Sequence, residues 1–123
     1  MKTPPETQFA LLLDDLNIKY EREYPFHQWR FDFAVPWYKV AFEVNGGIFK
    51  KITLANGYKM QGGRHQTGKG YSMDCKKIFT AQTEGWVVFP IPSPWLYHTS
   101  RHKQQKYLMT YEEVKERIKA FFS

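Results

Sequence analysis

The stretch that most constrains the fold is Trp29–Gly47, WRFDFAVPWYKVAFEVNGG. Trp29–Val35 and Lys39–Asn45 each alternate with period two, with Pro36 and Trp37 between them. The segment therefore predicts two antiparallel strands joined by a tight turn. A four-residue turn over Pro36–Lys39 pairs Val35 with Val40. It then sets Ala34 opposite Ala41, Phe33 opposite Phe42, Asp32 opposite Glu43 and Phe31 opposite Val44. One face is wholly apolar (Phe31, Phe33, Val35, Val40, Phe42, Val44), and the other carries Asp32 and Glu43 beside the small alanine pair. Directly opposed residues have Cβ atoms about 4.5–5.5 Å apart. Two carboxylates at that distance repel, and an oxygen-preferring divalent cation held between them relieves the repulsion. A turn one residue longer or shorter would move Glu43 to the other face and make the pairing fortuitous.

The chain has 123 residues, which predicts a single domain over 1–123 with a real core. Lys and Arg number 18 against 12 Asp and Glu, a net charge of +6, which suits a polyanionic partner such as nucleic acid. Cys75 is the single cysteine, so no intrachain disulfide can form and a reducing compartment is expected. The start, MKTPPETQ, has no apolar run after its basic residue, and no apolar stretch approaches membrane-spanning length. These features predict a soluble, cytoplasmic chain with no membrane partner (host cytoplasm, were it encoded by a phage). One Cys and scattered His give no zinc-ligand spacing.

Thr3-Pro4-Pro5-Glu6 reads as a helix start with Thr3 as N-cap, Pro4 at the first helical position and Glu6 three residues past the cap. Phe9, Leu12, Leu13 and Leu16 then predict an amphipathic helix over 4–16, ending at Asn17. Tyr20–Phe26 reads as a first strand, with His27 and Gln28 turning into the hairpin. Tyr71–Glu84 predicts a second helix with Cys75, Ile78 and Phe79 on one side and Gly85 as its stop. Trp86–Ile91 is a short apolar strand whose far end Pro90 limits. A loop over Pro92–Lys106 follows. The last helix opens on the capping box Thr110-x-x-Glu113 and is expected to bury Val114, Ile118, Phe121 and Phe122. His27, His98 and His102 read as surface residues.

Between hairpin and second helix, Ile48–Gly70 carries Lys50, Lys51, Lys59, Arg64, His65 and Lys69, with five glycines and no acidic residue. A loop this long is usually functional or disordered. It reads as a basic flap making sequence-independent contacts to a DNA backbone through Lys50, Lys51, Lys59, Arg64 and Lys69, or as a solvated loop. Within it, Gly62-Gly63-Arg64-His65 can hold a phosphate through backbone N–H groups and a bidentate Arg64. His65 is either a general acid or base there or an incidental loop histidine.

The order is α-β-β-β-α-β followed by a further helix, a mixed α/β (α+β) architecture. With WRFDFAV…KVAFEVNGG, then GGRH, then a helix bearing Asp74 and Lys77, then GW before the next strand, it resembles the PD-(D/E)XK nuclease superfamily. It looks closest to small phage and bacterial endonucleases and to very-short-patch-repair-like enzymes. The resemblance spans roughly Glu21–Val88 and implies a restriction-endonuclease-like core. It further implies Mg²⁺, with Mn²⁺ as substitute, held by Asp32, Glu43 and the Val44 carbonyl, and hydrolysis of DNA, duplex or branched. The position usually occupied by lysine is Asn45, which can orient a water but carries no charge. A cation from elsewhere can take its place, and Lys77, one turn beyond Asp74, is the first choice; it otherwise reads as a solvated lysine. Glu23 matches an acidic position before the aspartate and is an additional ligand or a surface residue. Asp74 is a further site candidate or a carboxylate complementing its helix dipole. The leading expectation is a metal-dependent endonuclease, dimeric if it cuts both strands in one encounter. The alternatives are a nucleic-acid-binding module that kept the fold without the chemistry, and a basic interaction domain.

Overall fold

The computed structural model describes residues 3–44, 71–98 and 108–123, with side chains of the second helix from Asp74 onward. The elements are α1 (Pro5–Asp15), β1 (Glu21–Phe26), β2 (Trp29–Val35), β3 (Val40–Val44), α2 (Tyr71–Thr83), β4 (Val87–Ile91) and α3 (Tyr111–Phe122). The sheet runs β1-β2-β3-β4, antiparallel except for the parallel β3–β4 pair. This is the predicted mixed sheet with its α-β-β-β-α-β order and extra C-terminal helix.

The β2–β3 hairpin has the register its turn implies as far as Phe33: Val35 pairs Val40, Ala34 pairs Ala41 and Phe33 pairs Phe42, while the expected Asp32–Glu43 and Phe31–Val44 pairs do not join the ladder. Pro36–Tyr38 forms one 3₁₀ turn, and Lys39 closes it in the left-handed region at φ 56°. Both faces of the sheet are covered. On one, Phe9, Leu12 and Leu13 of α1 and Val114 and Ile118 of α3 pack on Phe33, Val35, Val40, Phe42 and Val44. The Phe9 ring stands 5.1 Å from Phe33 and 5.0 Å from Phe42. On the other, Ala81 of α2 joins Phe26, Phe31, Ala34, Ala41 and Trp86. The alanine pair has a plain use: without larger side chains there, α2 can sit close to the sheet.

Helix ends follow local chemistry. The first helix starts one residue later than predicted, with Pro4 rather than Thr3 at the cap and no side-chain cap bond. Pro5 disfavours helical ψ at the residue before it, and Pro4 accordingly sits at ψ 148°. Asn17, at φ 62°, ends α1 in a Schellman motif: Ile18 N–H donates to Leu13 O and Asn17 N–H to Asp14 O. Gly85, at φ 91°, ends α2 the same way, with Trp86 N–H to Ala81 O and Gly85 N–H to Gln82 O. Thr110 and Glu113 form the expected reciprocal capping box.

Four expectations are corrected. Phe31 is fully buried but packs on the α2 face, its ring 4.8 Å from Phe26 and 5.1 Å from Trp86, not with Phe33. The reason is a break in alternation where Glu23 takes φ 51° and the β1–β2 ladder skips the Glu23–Asp32 pair. Phe79 is 69% exposed, because the side of α2 bearing Lys77 and Ala81 faces the sheet and Phe79 lies opposite. Phe121 shares the face of Val114 and Ile118 but is half exposed, since it stands in the last turn of α3, its ring 5.1 Å from the partly buried Phe89. His98 is buried, its carbonyl accepting from Tyr111 N–H at the entry to α3. His27, by contrast, is exposed as expected, with Nε2 2.9 Å from Glu84.

Candidate functional site

The site lies where β2 and β3 part. Beyond the Phe33–Phe42 pair, the two carboxylates take over hydrogen bonds to the neighbouring strand. Asp32 N–H donates to Glu43 Oε2 at 3.0 Å, and Val44 N–H donates to Asp32 Oδ2 at 2.9 Å. Asp32 and Glu43 are thus brought together, each satisfying backbone of the opposite strand.

Lys77 reaches the same point from α2. Its ammonium donates to Glu43 Oε1 at 2.7 Å and to Arg30 O at 2.7 Å, and it lies 5.4 Å from the centre of the Phe31 ring. Both side chains of the Lys77–Glu43 pair are only 13% exposed. A cation therefore stands beside the paired carboxylates, delivered by the close approach of α2 over Ala34 and Ala41. Asp74 lies in the first turn of that helix.

A second grouping was not read from the sequence as a whole. Ligand oxygens of Glu6, Glu23 and Asp32 all lie within 4.8 Å of one another. Glu23 was a candidate; Glu6 was not. As a carboxylate in the first turn of a helix it has an ordinary local explanation in capping and dipole, and nothing short-range distinguishes it. The structure gives it another use, since α1 packs across β2 and directs its first turn at Asp32. The left-handed backbone of Glu23 belongs to the same construction. A non-glycine residue in that region costs of order 1–3 kcal/mol and clusters at functional sites, and here the kink carries Glu23 to Asp32 and Glu6. Arg22 pairs with Glu6 at 3.3 Å and Arg30 with Glu23 at 3.7 Å, all four side chains substantially exposed.

Burial, and after it the charge of Glu43, push the Asp32 carboxyl up from 3.8 to about 6, with the Val44 N–H pulling the other way. A raised folded-state value means the folded protein holds the proton more tightly than the unfolded chain. The stabilisation from this group is complete below about pH 4 and is lost as pH rises through 6. The metal-free wild type is therefore expected to lose melting temperature relative to Asp32→Asn between pH 4 and 7. A divalent cation should close that gap. Paired thermal melts with and without the cation measure both effects.

Asn45, Lys50, Lys51, Lys59, Arg64, His65 and Lys69 lie outside the described residues. Val44 is the last described residue of β3; its N–H is engaged by Asp32. No helix among the described residues is long and apolar enough to cross a membrane.

No family model matches this chain, and no curated protein does. Among solved structures, it is similar to the catalytic domain of the homing endonuclease I-Bth0305I. The TM-score is 0.57 at 24% identity, over 86% of this chain and 92% of that one. Sheet order, helix placement and this likeness together give the chain a nuclease-like α/β fold, the fold that homing-endonuclease catalytic domain also has.

Proposed function

We propose that this chain is a metal-dependent DNA endonuclease of the PD-(D/E)XK kind, its site centred on Asp32. The observation that carries the reading is the convergence of Glu6, Glu23 and Asp32 beside the Glu43–Lys77 pair, at the point where β2 and β3 part. The donor set fits Mg²⁺. An octahedral ion with bonds of about 2.0–2.1 Å spans oxygens about 2.9–4.2 Å apart, so small side-chain rotations suffice from the spacing present. Burial and the neighbouring Glu43 make an ionised Asp32 costly, and a cation offsets that cost.

Asp32, Glu23 and Glu6 would hold the ion. Glu43 adjoins them, each of its oxygens already accepting one hydrogen bond and keeping a lone pair. The Val44 carbonyl remains the candidate backbone ligand. When bound, Mg²⁺ supplies Lewis acidity at the phosphate and lowers the pKa of water. Lys77 has three N–H donors and commits two, to Glu43 and Arg30 O. The third is suited to a phosphate oxygen or an attacking water, which is the work the usual lysine would do in place of Asn45. The charge of +6 suits DNA as substrate.

The test is nicking of supercoiled and branched DNA with and without divalent cation. Mg²⁺-dependent cleavage that falls roughly a hundredfold or more in Glu6→Gln supports both the activity and the place of Glu6 in it, on the scale of one lost electrostatic contact to the transition state. Salt-dependent binding with no cleavage under Mg²⁺ or Mn²⁺ would leave a nucleic-acid-binding module instead.

A further inference from the structure

Two of the three clustered carboxylates are already held by cations of the chain itself. Arg22 Nη2 lies 3.3 Å from Glu6 Oε1, and Arg30 Nε lies 3.7 Å from Glu23 Oε1. The strand backbone anchors both arginines beside the site while their side chains stay largely exposed. The Arg22 guanidinium lies 4.8 Å over the Phe33 ring, and its backbone is paired with Phe33. The backbone of Arg30 is paired with Pro25, and its carbonyl accepts from Lys77.

We propose that Arg22 and Arg30 are phosphate-binding residues held in reserve by the acidic cluster and released to DNA when a divalent cation takes Glu6 and Glu23. This inference rests on the metal and DNA reading above. Exposed ion pairs are weak and exchange readily, so a divalent ion displaces the guanidinium groups from their carboxylates. Once the cluster is neutralised, the planar guanidinium forks face an opening that no longer repels a polyanion. Each carboxylate meets its arginine through one nitrogen, at 3.3 Å and 3.7 Å, whereas a phosphate diester offers the fork a bidentate acceptor. The arrangement ties the order of events to charge: without the cation, the carboxylates of Glu6, Glu23 and Asp32 cluster at the site and the arginines are occupied. With it, the same arginines hold the backbone beside the site. Neither touches the reacting atoms, so both are positioning residues.

The experiment uses the full chain with Ca²⁺ as the probe ion. Calorimetry reads Ca²⁺ affinity without DNA, and fluorescence anisotropy reads affinity for a labelled duplex in Ca²⁺ and in EDTA across a salt series. For the wild type, log K against log salt should be steeper in Ca²⁺ by about 0.9 for each phosphate gained, and two are expected. In Arg22→Gln/Arg30→Gln, Ca²⁺ should bind roughly three- to tenfold more tightly, because competing cations are gone. The steepening should disappear. If the double variant does not fold, Arg30→Gln alone, with a side chain 66% exposed, should show half of each effect. Unchanged Ca²⁺ affinity, or a retained steepening, overturns the proposal while the metal reading stands. No Ca²⁺ binding by the wild type, or binding that survives in Asp32→Asn, removes the metal reading and this proposal with it.

Discussion

Asp32→Asn is expected to reduce cleavage by roughly a thousandfold or more, while leaving the fold intact and DNA binding in EDTA retained or slightly raised. Asp32 is common to every carboxylate grouping at the site: it bonds Val44, bears the charge of Glu43 and lies within reach of Glu6 and Glu23. Losing it removes a central ligand, and about 4 kcal/mol of transition-state stabilisation is a thousandfold in rate. Asparagine keeps an oxygen that can accept from Val44 N–H, so the strand contact survives. It also carries no charge to desolvate, so melting temperature above pH 6 should hold or rise. Single-turnover cleavage and thermal melts on one preparation separate the effects. Near-wild-type cleavage by this variant would remove the site from Asp32 altogether.

The second large effect is structural as well as chemical. Lys77→Ala leaves the Glu43 carboxylate, 13% exposed, without its ammonium partner and Arg30 O without a donor. Removing one member of a buried pair is far more costly than the pair is worth, on the order of 3–5 kcal/mol when burial is complete. Partial exposure here argues for less than that, about 2–3 kcal/mol, readable as a shift in the urea midpoint. Glu43→Gln combined with Lys77→Met should recover most of that stability, because no uncompensated charge remains. Activity should not return with it. If Lys77→Ala cleaves normally, the missing cation comes from Arg64 or His65; if the double variant is no more stable than the single, the loss in Lys77→Ala is packing and not charge.

The hairpin at the centre of the molecule was legible because its information is local. Period-two alternation on both sides of Pro36 leaves one sensible turn, and with that turn the register of Val35 on Val40 follows, placing Asp32 beside Glu43. The helix stops at Asn17 and Gly85 and the Thr110–Glu113 box were legible for the same reason, since each is settled within about six residues. The element order came from periodicity along the chain.

What the sequence left open depended on contacts between distant segments. Glu6 looks like any acid in a first turn until α1 is laid across β2. Phe31 belongs to the apolar alternation on paper, and only the left-handed kink at Glu23, coupled across the ladder to Asp32, turns it to the α2 face. Lys77 as the neighbour of Glu43 required knowing that an Ala34–Ala41 floor lets α2 approach. His98 is buried, and Phe79 exposed, because helix and loop orientation about the sheet decides which of several apolar stripes is covered. A strand register is fixed by hydrogen bonds a few residues from its turn. The meeting of three carboxylates and two arginines from α1, β1 and β2 is fixed by how whole elements pack, and that is a property of the tertiary structure alone.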